Sequence, residues 1–160
     1  ADNLTKVFDA EAELLVTIAH SGIKENRYIL AEYYATLCYL SEMNEASINS
    51  FVNLVRANKL VNVVRWHLSI TAMLHQAAYG VMPKKLVNLL SNLGGFWNIS
   101  WEIINCASPP YNIAPLTLAL IMREKLGEKL FKRSFLSQLA VPINDRASMH
   151  RIIERFNAIK

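Results

Sequence analysis

Apolar residues recur every three or four positions along nearly the whole chain, the spacing of helices that bury one face. Leu4, Val7, Phe8, Leu15, Ile18 and Ala19 predict a first helix, with Asp2 or Asn3 as its N-cap and Gly22 as its stop. Residues 24–42 predict a second, with Leu30, Tyr33, Tyr34, Leu37 and Leu40 on its apolar side. From Asn44 to Tyr79 no Gly or Pro intervenes, which is long for one straight helix in a globular domain. A break near Asn58 to Asn62 divides it into helices at 46–58 and 61–79. Pro83 suits the first turn of a helix that ends at Gly94-Gly95. Phe96 to Trp101 open a short helix reaching Ile104, and Pro115 starts another that runs to about Leu126. Two more are expected, at about 128–140 and from Asn144 or Asp145 to Ala158. No segment alternates with period two. The pattern predicts an all-α fold, a compact bundle of about eight helices with no significant sheet.

Composition agrees. Of 160 residues, 52% are hydrophobic and only five are glycine, which excludes disorder and favours helix. Ser108-Pro109-Pro110-Tyr111 is the clearest linker signal; it divides a helical core and oligomerisation region (1–107) from a basic helical C-terminal segment (112–160), with one continuous domain as the alternative. Between Lys85 and Arg123 the only charged residue is Glu102, yet Asn88, Asn92, Gly94, Gly95, Asn98 and three prolines interrupt the stretch. Lipid cannot satisfy such groups, so this region reads as a buried centre or a subunit contact, not a membrane span. Trp97 and Trp101, one turn apart within it, are the expected interface anchors.

Charge is polarised along the chain. Residues 1–47 carry three basic and eight acidic side chains, 48–114 five basic and one acidic, and 115–160 nine basic and four acidic. Such asymmetry points to a polyanion at the basic end, or to head-to-tail self-association with an acidic protein surface. On one helix, Lys125, Lys129, Lys132 and Arg133 would fall within an arc of about 100°. Only Glu124 and Glu128 lie near enough to neutralise that stripe. Tyr28, Tyr33, Tyr34 and Tyr39 cluster in the acidic part, where packing or a protein contact is favoured over base stacking.

Signatures of chemistry are sparse. No phosphate-binding loop, nucleophile elbow, zinc-protease helix or calcium loop occurs. His67 and His75 lie two helical turns apart, too far to share a metal, and both read as structural. Cys38 and Cys106 read as two buried free thiols in a reducing compartment. With no start resembling a signal peptide, the chain reads as cytoplasmic. No cofactor or metal is expected, and no enzymatic activity.

The run from Leu136 to Phe156 has the look of two helices joined by a turn. Its second half, Asp145-Arg146-Ala147-Ser148-Met149-His150-Arg151-Ile152-Ile153-Glu154-Arg155-Phe156, resembles the recognition helix of winged-helix repressors of the multiple-antibiotic-resistance type. Met149, Ile152, Ile153 and Phe156 would form the buried stripe, leaving Arg146, His150, Arg151 and Arg155 outside. The resemblance implies a helix in a DNA major groove, with Arg146 and Arg151 at base edges or close phosphates. Lys125, Lys129, Lys132, Arg133 and Arg155 would then meet the backbone. The chain departs from the family in Pro142 at the turn and in having only four residues after Phe156, where the family carries a β-wing. The expectation is a non-enzymatic protein that binds nucleic acid through its C-terminal helices and self-associates through its charge-poor centre. The alternative is an adaptor, chaperone or assembly subunit without a nucleic-acid role.

Overall fold

The computed structural model describes residues 9–97 and 109–125. The chain divides into two compact units, Ala1–Glu124 and Lys125–Lys160. The first holds α1 (Ala10–Ala19), a π-helical turn (His20–Glu25), β1 (Arg27–Tyr28), α2 (Leu30–Glu42), α3 (Glu45–Ala57), α4 (Val61–Tyr79), α5 (Lys84–Asn92), β2 (Tyr111–Asn112) and α6 (Pro115–Lys125), whose last residue crosses into the second. The described residues are predominantly helical, with six α-helices and one two-stranded ladder among them. The helices expected at 128–140 and 144–158 lie outside the described residues, as does most of the one expected from Phe96; Phe96 and Trp97 themselves are not helical. None of the described helices is long and apolar enough to cross a membrane.

α1 is capped by Asp9; the expected caps Asp2 and Asn3 lie outside the described residues. The Asp9 carboxylate accepts the Ala12 N–H (3.0 Å), and Glu11 and Glu13 lie at the positive end of the helix dipole. Gly22 does not stop a helix. It sits inside the π-helical turn, so close to α4 that a Cβ there would overlap the Val63 side chain. The chain then leaves helical geometry, with Asn26 left-handed at φ 53°. Arg27 and Tyr28 pair antiparallel with Asn112 and Tyr111, and the Ile113 N–H donates to the Asn26 carbonyl (3.0 Å). The expected helix over 24–42 therefore begins only at Leu30.

The buried side of α2 also differs from expectation: Tyr33, Thr36 and Leu40 face inward, while Leu30 and Tyr34 are exposed. A polar residue displaces two apolar ones because α4 presents polar groups to that face. Cys38, expected to be buried, is exposed and free. Residues 112–124, grouped by sequence with the C-terminal segment, pack with the helices before them. Tyr111, Ile113, Ala114 and Ile121 are all buried.

The predicted break between α3 and α4 is present, at Asn58 and the left-handed Lys59. Helix α4 is the centre of the fold. Every residue from Trp66 to Ala72 is buried, which is the pattern of a helix enclosed on all sides. Its N-cap, Leu60, carries no polar group, and a remote carboxylate serves instead. Glu124 accepts the N–H of Val61 (3.1 Å) and of Asn62 (2.8 Å). The C-terminal carbonyls of α2 are met the same way by Lys85, whose ammonium donates to Leu40, Ser41 and Met43 at 3.1, 2.9 and 2.6 Å.

Two outcomes follow. Gly22→Ala forces the π-helical turn away from Val63 and lowers stability by about 1–3 kcal/mol, read from urea unfolding. Glu124→Ala exposes the start of α4 and lowers it by about 1–2 kcal/mol; a variant as stable as the parent would show that this cap contributes nothing.

Candidate functional site

Two constellations of polar side chains are built on α4. The first is a stripe at four-residue spacing, His67, Thr71, His75 and Tyr79, turned towards α2 and β1. His67 is completely buried, with Nε2 2.8 Å from the Thr36 hydroxyl and Nδ1 3.4 Å from the Ser21 hydroxyl. Glu32 also hydrogen-bonds Ser21 and accepts the Ile29 N–H (2.8 Å), which closes the first turn of α2. The direction of each bond to the ring is set by the histidine tautomer.

Ser21, Thr36 and His67 are sealed from solvent. The chain of bonds is a strut between the π-helical turn, α2 and α4. One turn on, the Tyr28 hydroxyl donates to Thr71 (2.8 Å), which donates to the His67 carbonyl (3.0 Å). The Tyr33 hydroxyl meets His75 Nδ1 at 2.8 Å. Both histidines thus have hydroxyl partners. Desolvation pushes His67 down from 6.5 to about 3, burial pushes the Tyr28 phenol up, and burial likewise raises Glu32 against its hydrogen bonds. Among the described residues no group of His, Cys, Asp and Glu could hold a metal ion.

The second constellation lies at the end of α5. Arg65, in the second turn of α4, donates Nε–H to the Gly95 carbonyl (3.0 Å) and an NH2 group to those of Gly94 and Phe96 (3.1 and 3.2 Å). Arg56, at the end of α3, donates to the Asn92 carbonyl (2.8 Å). Gly94 and Gly95 turn the chain with φ of 99° and 86°, angles that favour glycine. The Trp97 N–H then donates to Ser69 (2.8 Å), one turn beyond Arg65, and the Trp97 ring lies under the Arg65 guanidinium at 5.4 Å. Both arginines therefore rest on carbonyls. Phe96 projects from this strap and is 43% exposed.

The expected site residues fall unevenly across the structure. Trp97 is half-buried against its own chain, held by Arg65 and Ser69. Lys125 ends α6, and its side chain lies outside what is described. Trp101, Lys129, Lys132, Arg133, Arg146, Arg151 and Arg155 lie outside the described residues. Glu124, one of two acids expected to offset the basic stripe, is committed to the start of α4. The tyrosines divide: Tyr28 and Tyr33 are core, Tyr39 is half-buried and Tyr34 is exposed. Sequence reading missed Arg56 and Arg65. The available signal was a run from 46 to 97 with five basic residues and no acid, enclosing a glycine pair whose carbonyls need donors.

In comparisons with known proteins, no family model, curated protein or solved structure matches the chain.

His67 has a signature in pH. Below about 6.5 the unfolded chain takes up a proton that the folded chain refuses until about 3. Stability falls across that interval as pH is lowered, by up to ~1.4 kcal/mol per pH unit. Glu32, whose neutral form is favoured by burial, acts in the opposite sense. His67→Gln is less stable at neutral pH, but its urea midpoint varies less steeply over the same range. Parallel profiles for the two proteins would remove His67 as the cause.

Proposed function

We propose that the protein is a non-enzymatic helical protein that binds nucleic acid through a basic surface, with its C-terminal basic residues as the main contact. One observation carries the reading. The guanidiniums of Arg56 and Arg65 are held by backbone carbonyls, not carboxylates, so their charge stays available to a polyanion. Arg123, exposed beside the Glu124 cap, leads in sequence directly into Lys125, Lys129, Lys132 and Arg133. On this reading Arg146 and Arg151 make base-edge or close phosphate contacts, and Lys125, Lys129, Lys132, Arg133 and Arg155 contact the backbone.

A second reading, a protein-binding adaptor or assembly subunit, is favoured by a different surface. Tyr34 and Tyr79 are 61% and 64% exposed, and Tyr33 and His75 lie between them with neighbouring rings 4.7–6.1 Å apart. Exposed aromatic groups of this kind are common in protein interfaces. Self-association through such a face would replace the charge-poor centre as the contact. The described part of that centre buries Leu86, Leu89, Leu90, Ile113 and Ile121 within its own chain.

Salt separates the two readings. Nucleic-acid affinity falls steeply with added salt through counterion release, and an apolar subunit contact weakens far less. Lys132→Ala weakens binding to all sequences alike and makes the salt slope shallower by about one unit. Arg151→Ala, if it reads a base, costs about 1–3 kcal/mol and relaxes sequence preference. No mobility shift with any nucleic acid at low salt would give the adaptor reading the lead.

A further inference from the structure

The strap over α4 at residues 92–97 brings together three features that the nucleic-acid reading does not by itself require. Two guanidiniums are fixed on its carbonyls. Arg65 Nε and one NH2 group are taken up by Gly94, Gly95 and Phe96, and Arg56 uses one NH2 group on Asn92. In each case no described residue takes the other NH2 group, which faces an incoming acceptor from a side chain already immobilised. Beside them there is room: a Cβ on Gly95 would meet nothing within 4 Å, and the nearest atom to one on Gly94 is the guanidinium carbon of Arg65 itself (3.9 Å). Adjacent to this open side of the turn, Phe96 offers an aromatic ring that the fold leaves substantially uncovered.

We infer that Arg56, Arg65 and Phe96 form a contact site for single-stranded nucleic acid on the first compact unit, separate in sequence from the C-terminal basic residues. The inference rests on the nucleic-acid reading above and adds strandedness and a location to it. Fixed guanidiniums beside an open turn suit phosphates, and an exposed ring suits an unstacked base, which a duplex does not present. Trp97 is a positioning residue: its ring supports the Arg65 guanidinium, and its N–H ties the strap to Ser69. The sequence that carries the two arginines is itself free of acids, since no acidic residue occurs from 46 to 97.

The test uses the full chain and three fluorescently labelled probes: a poly-uridine strand, a poly-thymidine strand and a duplex of matching length. Anisotropy is followed at low salt and through a salt titration. The site predicts tighter binding of the strands than of the duplex. Phe96→Ala should weaken strand binding about tenfold while leaving the salt slope unchanged. Arg56→Ala should weaken it and make the slope shallower by about 0.7. Arg65 secures three carbonyls, so Arg65→Lys is used with Arg65→Ala and both are checked by thermal unfolding. A folded Arg65→Lys that binds strands as the parent does would count against a fixed guanidinium. If the parent binds nucleic acid, Lys132→Ala weakens it, and Phe96→Ala and Arg56→Ala change nothing, this site is overturned while the broader reading survives. If the parent binds none of the probes, both fall together.

Discussion

A helical segment enclosed on every side must find a partner for each polar group it carries, and the middle of α4 carries several. Trp66 to Ala72 are buried without a gap, yet His67, Ser69 and Thr71 stand among them. Unpaired, each would penalise folding by about 1–3 kcal/mol. The surrounding elements are arranged around those needs. The π-helical turn delivers Ser21, α2 delivers Thr36, β1 delivers Tyr28, and the strap after α5 delivers the Trp97 N–H. Apolar packing supplies most of the attraction, but it is tolerant of sliding. The polar pairs are not, and they select one register for α2 and β1 against α4.

Helix ends follow the same logic by other means. Asp9 and Asn44 cap locally, through their own side chains. Elsewhere the partner comes from far along the chain: Glu124 at the start of α4, Lys85 at the end of α2, Arg56 and Arg65 on the carbonyls after α5. Each long-range cap does two things at once, since it satisfies backbone groups and ties two elements together. It also decides how charge is displayed. Neutral backbone partners cancel neither sign: Glu124 keeps its negative charge at the head of α4, and Arg56 and Arg65 keep their positive charge.

What could be read from sequence follows the range of the interactions. The break after Asn58, the span of α4, and a helix between Pro83 and Gly94-Gly95 were legible because local propensity and spacing specify them. The split of the second helix was not. Nothing near Asn26 breaks a helix outright, and the departure depends on Tyr111 and Asn112 pairing with Tyr28 and Arg27. Leu30 and Tyr34 were assigned to the wrong side because hydrophobicity alone cannot foresee that His67 requires Thr36. Ser108-Pro109-Pro110-Tyr111 signals a chain reversal equally well within a compact unit as between two. Of the candidate site, the abundance of positive charge was legible. Which guanidiniums are held, and beside which ring, depended on contacts about thirty residues apart.

The Glu124 cap has a consequence for the order in which the protein is made. Helix α4 leaves the ribosome long before the residue that closes its first turn, since Val61 and Glu124 are 63 positions apart. The partner strand of β1 arrives only a little earlier, at Tyr111. During translation, then, α1 to α5 can collapse on one another with the head of the central helix still open to water. Co-translational folding of the first unit can finish only after Glu124 clears the exit tunnel.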